Sequence, residues 1–468
     1  MQKAGEIAKY SGPGTLIQAA VFFYPPDENL MRTNLFRFGL IAFTLLPAFA
    51  LLAADVGRNA VSSLGRDWPT FRGADRTGVS SDSGLLQKWP EGGPPVVFDV
   101  TGPGRGYSSI AVAGKGLFTL GDNTSIAEDK DEYLMAFGRD DGRPLWQLKT
   151  GPAWNQGKSD WQSSRSTPTV DGELVYALTA GGELVCCAAS TGSERWRKNL
   201  KSDFQGNKGD GWGYSESVLI DGDRLICTPG GEKATMVALD KKTGELIWQT
   251  SRPGDRGAGH ASAVISKVGS TRVYVQTTAS GPLGVRASDG KLLWTYDIER
   301  TTAVIPTPIM RNDLVFFTAG YNRGGALLRQ ISSSDDEVKI EEVYPLKKEL
   351  ANKHGGVVLV GDYLYGGVED RSSIFCAELM TGDVKWKARG SGENSAAMAA
   401  ADGCLYIHFA NGVMSLVKAS PEKYEELGSF TVPGSGERPS WAHPVIADGR
   451  LYLREQDRIV CYDVRDKK

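Results

Sequence analysis

The feature that most constrains this chain is a phrase that recurs: a short apolar run, a turn ending in glycine, and a tryptophan four residues further on. Its clearest copy is Met236-Val237-Ala238-Leu239-Asp240-Lys241-Lys242-Thr243-Gly244-Glu245-Leu246-Ile247-Trp248. The phrase returns with Gly142 and Trp146, Gly192 and Trp196, Gly290 and Trp294, and Gly382 and Trp386. Glycine supplies the positive φ that closes a tight turn between two strands. The indole can then lie over a neighbouring copy and bury a large apolar face. Successive glycines are 50, 52 and 46 residues apart, then 92, which is two periods with a degenerate copy between. Strands repeating at such a period, with no helical pattern, are the mark of propeller blades.

Each unit divides into strands A to D. The A strands are expected at 108–112, 166–170, 215–220, 260–265, 306–310, 354–360, 395–400 and 442–446. Turn signals such as Asp171-Gly172 and Asp221-Gly222 follow them, then eight apolar B strands. Only seven D strands lie within the repeats, and the fifth and seventh, near 340–344 and 427–432, lack the tryptophan. The last unit stops after strand C at Ile459-Val460-Cys461-Tyr462, while Val96-Val97-Phe98-Asp99-Val100 has no preceding partner. The expected fold is therefore all-β: an eight-bladed propeller closed by an N-terminal strand, which removes the free sheet edge. A seven-bladed ring, with the unit around 327–344 as the doubtful one, is the alternative.

The start of the chain reads differently. Two arginines, Arg32 and Arg37, precede an apolar run over 39–54 that ends in small residues. That is the layout of a signal peptide, and the run is short for a bilayer span of about 20 residues. The expected division is 1–30 as a start-site artefact, 31–54 as signal peptide, 55–66 as linker and 67–465 as propeller. No cysteine follows the apolar run, so lipid attachment there is not expected. A net charge of -3 argues against a nucleic-acid partner, which would call for a basic face. The six cysteines contain no C-x-x-C pair, so no zinc ribbon, thioredoxin motif or c-type haem is expected.

The pattern Ala-x-Asp-x-x-Thr-Gly-x-x-x-Trp, clearest at Ala238, Asp240, Thr243, Gly244 and Trp248, resembles the tryptophan-docking repeat of pyrroloquinoline-quinone (PQQ) propellers. Trp68-Pro69-x-Phe71-Arg72-Gly73 and Gly106-Tyr107-Ser108-Ser109 resemble exported bacterial members related to the BamB component of outer-membrane barrel assembly. The resemblance implies a propeller of the quinoprotein alcohol dehydrogenase-like type. It implies two functions: an exported, non-catalytic scaffold for an envelope or secreted protein, or a PQQ-dependent oxidoreductase with Ca²⁺.

The quinoprotein reading needs oxygen ligands for Ca²⁺ and a carboxylate base where the A strands begin. Those positions offer one Glu, one Asn and no Asp, so no cofactor, no metal and no catalytic residue is expected. The adjacent Cys186 and Cys187 fall within a strand and read as two buried thiols. Carbohydrate or small-ligand binding in an axial funnel is a third reading. Its expected lining is Arg165, Trp212, Tyr214, Glu216, His260, His354, Asn394, Trp441 and His443. The protein is expected to be a monomer, touching a membrane only through a retained signal anchor.

Overall fold

The computed structural model describes residues 67–122, 130–155, 161–334 and 337–467. The start-site, signal and linker assignments fall on residues 1–66, outside the described residues.

The described residues form eight four-stranded antiparallel sheets. Seven are continuous in sequence: blade 1 spans residues 111–152, blade 2 169–199, blade 3 219–250, blade 4 264–295, blade 5 309–347, blade 6 357–389 and blade 7 396–431. Blade 8 takes strands A to C from residues 445–463 and its outer strand from Val96–Thr101. In that closure Phe98 pairs with Cys461 and Val100 with Ile459. The eight-bladed ring is the one expected. The doubtful unit around 327–344 is a full blade with two eleven-residue outer strands, Gly324–Ser334 and Glu337–Lys347.

The repeated phrase does what its chemistry suggests. The Trp146 ring lies over Gly192, Trp196 over Gly244 and Trp248 over Gly290, so near that an added Cβ would sit 2.5, 2.8 and 2.5 Å away. Each indole N–H also donates to the next blade: Trp146 to the Ala189 carbonyl at 2.9 Å, Trp196 to Lys241 at 3.0 Å and Trp248 to Ala287 at 3.2 Å. Trp386 repeats the bond to Ser420 at 2.9 Å. Trp294, facing the blade without a docking glycine, bonds the Gln330 side chain at 3.1 Å instead.

Where the tryptophan is missing, other rings take its place. In blade 5 Tyr344 docks over Gly382. In blade 8 Phe98 docks over Gly142, 2.7 Å from the position of an added Cβ. In blade 7 the residue at the tryptophan's register is Gly428, paired with Leu416. A Cβ there would meet Trp89 at 2.9 Å, because Trp89 arrives from the N-terminal segment and packs on Tyr406 and Phe430.

The A strands begin later than expected, at Ala111, Thr169, Leu219, Val264, Ile309, Val357, Ala396 and Val445, after the residues that were read as their first positions. Near the axis those residues exchange ladder bonds for bonds between blades. The Ser109 N–H donates to Thr167 Oγ1, Thr167 N–H to Ser217 Oγ, Ser217 N–H to Ser262 Oγ and Ser262 N–H to Thr307 Oγ1, at 3.2, 2.9, 2.9 and 3.4 Å. A belt of hydroxyls thus runs around the inner wall of blades 1 to 5. It satisfies backbone donors that sheet pairing leaves free.

Residues 67–90 form a cork in the ring. They begin against the A–B turn of blade 1, where Asp67 pairs with Arg139 at 2.6 Å and accepts the Gly114 N–H. Next, Trp68 bridges Val112, Thr70 bonds Thr169 at 2.8 Å, and Arg76 donates to the Ser217 and Ala263 carbonyls at 2.9 and 3.0 Å and to that of Val218. Arg72 reaches across to the Val357 carbonyl at 2.6 Å. The chain leaves past blade 7, with Val79 bridging Ala400, and returns to the A–B turns of blades 7 and 8 through Leu85 and Asp82. One short segment therefore touches seven of the eight blades, all but blade 5, and closes the axis.

Candidate functional site

Above the cork, on the side from which the A strands start, lies a cavity of about 170 Å³. Phe71 and Arg72 of the cork line it together with residues of the loops that lead into the A strands. Six of the nine residues expected at the funnel are there: Arg165, Trp212, His260, His354, Trp441 and His443. Trp441 stacks on His354 with centroids 4.2 Å apart, and Phe71 meets His443 edge-on at 4.8 Å.

Three are not, and for Tyr214 and Glu216 the reason is parity. In the segment before the blade 3 A strand, Ser215 and Ser217 face the cavity, so Tyr214 and Glu216 point into the blade. The Tyr214 ring is packed in the core between blades 2 and 3, with its hydroxyl donating to the Pro229 carbonyl at 2.9 Å. The Glu216 carboxylate is buried and accepts from the Thr228 N–H, the Thr228 hydroxyl and the Gln276 amide at 2.7, 3.1 and 2.9 Å. Burial pushes its pKa up to about 7 against the pull of those donors and of Arg76. Asn394 sits in the loop before blade 7 with φ 65°, its N–H donating to Ser372 Oγ, and it does not reach the cavity.

Reading the sequence by unit missed Phe71, Tyr107, Trp161, Tyr321 and Lys353, which also line the cavity. Phe71 and Tyr107 stood inside the two motifs that carried the family resemblance, so a signal was present. Nothing in a linear pattern shows that a segment before the first blade returns to the axis.

The His260 wall is a hydrogen-bonded line. Ser215 Oγ is 2.7 Å from His260 Nδ1, and His260 Nε2 is 2.8 Å from Asp210 Oδ2. Lys208 Nζ lies 3.1 Å from the other Asp210 oxygen. The geometry assigns the Nε2 proton to Asp210 and leaves Nδ1 to accept from Ser215. These are the residue types of a nucleophilic triad, but the electrostatics oppose that chemistry. Burial, then Lys208, pushes the imidazole down to about 4, far below the range in which a general base works at neutral pH. Burial favours protonated Asp210, yet the bond to His260 and the charge of Lys208 outweigh it and hold the carboxyl well below its usual range. Burial lowers Lys208 to about 8. The line fixes the wall of the cavity.

The quinone-and-calcium chemistry can be tested on the same residues. Among the described residues no Asp or Glu lines the cavity, so they offer no carboxylate ligand for Ca²⁺ and no carboxylate base there. Among the described residues no group of three or more His, Cys, Asp and Glu is arranged to hold a metal ion. Cys186 and Cys187 are free thiols in the strand Glu183–Ala188, packed into different cores on the two faces of their sheet. These residues do not fit the cofactor.

A family model described as outer membrane protein assembly factor BamB matches residues 130–388. The chain is 30% identical over 155 residues to outer membrane protein assembly factor BamB of Nitrosomonas eutropha, covering 33% of this chain and 31% of that protein. It is 26% identical over 267 residues to the Burkholderia pseudomallei BamB, covering 52% and 62%. The alignments thus span less than two thirds of the length of these relatives. Among solved structures, BamB from Moraxella catarrhalis superposes with a TM-score of 0.53 at 16% identity, covering 80% of this chain and 98% of that one. A europium-containing methanol dehydrogenase superposes with a TM-score of 0.59 at 13% identity, covering 83% and 89%. At these identities the two structures speak for the fold alone.

Proposed function

From the premise that the chain belongs to the family described as outer membrane protein assembly factor BamB, we propose that it is an exported, non-catalytic propeller scaffold that binds a protein of the cell envelope. The observation that carries this reading is the family match over residues 130–388 joined to an axial cavity that no carboxylate of the described residues lines. A hydrolase or quinoprotein needs a base poised near neutral pH or side chains that hold a metal, and the described residues of the cavity wall supply neither. What the ring supplies is two broad faces of loops on a rigid frame, the usual setting for recognition. By the name its relatives carry, the partner belongs to the outer-membrane assembly machinery.

The start of the chain fits this place of action. A signal peptide over 31–54 carries the protein across the inner membrane and is removed. N-terminal sequencing of the mature protein should begin after Ala54 and not upstream of Met31.

The partner is tested by crosslinking in the intact envelope of the source cell, followed by purification through the propeller. Enrichment of a component of the outer-membrane assembly machinery is the expected result. Its absence, with export verified, sinks the reading. Addition of PQQ and Ca²⁺ should give no alcohol- or sugar-dependent dye reduction, and turnover would overturn the non-catalytic assignment.

A further inference from the structure

The cork places a guanidinium at the floor of the cavity. Arg72 is 2% exposed. Its Nε donates to the Arg76 carbonyl at 3.3 Å, and Nη2 donates to those of Thr77 and Val357 at 2.7 and 2.6 Å. Nη1 is buried and has no hydrogen-bond partner within the protein. It borders the cavity at Gly356, where an added Cβ would lie 2.9 Å from it and 3.8 Å from His443 Cε1.

Elsewhere on the wall Arg165 lies 4.7 Å over the Trp154 ring and donates to the Trp161 carbonyl, while its Nε is buried without a partner. His354 Nδ1 is likewise buried and unpartnered. Among the described residues no carboxylate lines the cavity, although the charges of Asp210 and Glu132 reach Arg165 from behind the wall. The third lining cation, Lys353, is paired with Asp370 at 2.6 Å, and Phe71, Tyr107, Trp161, Trp212 and Trp441 form an aromatic part of the wall beside serine and threonine hydroxyls.

Leaving a buried guanidinium N–H without an acceptor is costly, and an ionised acceptor in a low-dielectric pocket gives the strongest hydrogen bond available to it. A strongly hydrated inorganic anion leaves the aromatic wall uncovered, whereas an organic acid covers both surfaces.

We propose that this blind axial cavity binds an organic anion, with a carboxylate seated against Arg72 and Arg165 and an apolar or aromatic body held between the indoles. The site stands apart from the scaffold reading, since it needs neither export nor a protein partner. The carboxylate can belong to a free acid or to the end of a peptide, and the chemistry at the guanidinium groups is the same.

The test is calorimetric titration of the mature chain with phenylacetate, with its uncharged counterpart phenylacetamide, with inorganic phosphate, and with Gly-Gly-Phe carrying a free or an amidated carboxyl group. The carboxylate probes should bind, and phenylacetamide and the amidated peptide should bind about tenfold more weakly or worse, the loss of one charge-assisted hydrogen bond. Tighter binding of Gly-Gly-Phe than of phenylacetate assigns the acid to a chain end, the reverse to a free acid, and both support the site. Arg165→Gln should weaken phenylacetate about tenfold while Arg165→Lys keeps part of the affinity, with the melting temperature of each variant verifying its fold. Equal binding of phenylacetate and phenylacetamide, phosphate binding as tight as phenylacetate, an unchanged affinity in Arg165→Gln, or no heat from any probe up to about 10 mM overturns the proposal.

Discussion

A single glycine shows how sharply the repeat is specified. Gly244 holds φ 73°, and the Trp196 ring occupies the space a side chain would need. Gly244→Val combines a disfavoured backbone with a clash against the docked indole, so about 1–3 kcal/mol of stability should be lost from the backbone alone. Denaturant unfolding reads this out, and an unchanged midpoint would show that the turn tolerates a branched residue.

Glu132 is a different kind of residue-scale device. It is fully buried, both carboxylate oxygens lack hydrogen-bond partners, and burial, helped by the charge of Asp122, pushes its pKa up to about 8. Between the unfolded value near 4.5 and about 8 the folded chain keeps a proton that the unfolded chain releases, so this group's contribution falls as pH rises through that window. Glu132→Gln keeps the neutral shape and removes the titration. Its stability relative to the parent should therefore rise from pH 5 to pH 8, measured by denaturant midpoints, and a pH-independent difference would show that Glu132 is ionised in the folded protein.

At the scale of elements, the docking of one blade on the next tolerates substitution of the ring but not its loss. Tyr344, Phe98 and Trp89 fill the positions that lack an in-line tryptophan, and Trp89 does so from outside the blade it serves. Trp89 is 3% exposed and packs against Tyr406 and Phe430. Trp89→Ala should cost about 3–5 kcal/mol, the usual loss for deleting a buried indole, although the residue lies in no blade. Thermal unfolding tests this, and a loss below about 1 kcal/mol would mean that blade 7 is held without it.

For the whole molecule, closure is concentrated at the seam between blades 8 and 1. Arg454 is 1% exposed and donates across it to the Thr119 hydroxyl and to the Leu120, Pro103 and Gly104 carbonyls. Burial lowers its pKa to about 10, so it stays charged at neutral pH. Arg454→Met should leave those carbonyls without a donor and destabilise the ring by about 3 kcal/mol or more. Pro103 and Gly104 follow closely on strand Val96–Thr101, so losing their bonds to Arg454 loosens that strand and bares the edge of strand Arg458–Asp463, and the variant should also associate with itself as the temperature rises. Light scattering during unfolding reads that out, and a monomeric transition would place the weakest joint elsewhere.

The sequence by itself determined the ring, because its information is periodic. The turn glycines, the indoles and the strand-length apolar runs each recur, so eight blades and the partner of Val96–Thr101 could be counted before any coordinate was known. It also exposed Arg165, Trp212, His260, His354, Trp441 and His443 as axial, since equivalent positions of a ring converge on its axis. The tertiary structure decided what periodicity does not encode. A one-residue alternation turned Tyr214 and Glu216 away from the cavity their neighbours line. The non-repeating residues 67–90 could be placed only by contacts far away in sequence, such as Arg72 with Val357 and Arg76 with Ala263. Those contacts close the axis and put a guanidinium under the axial cavity.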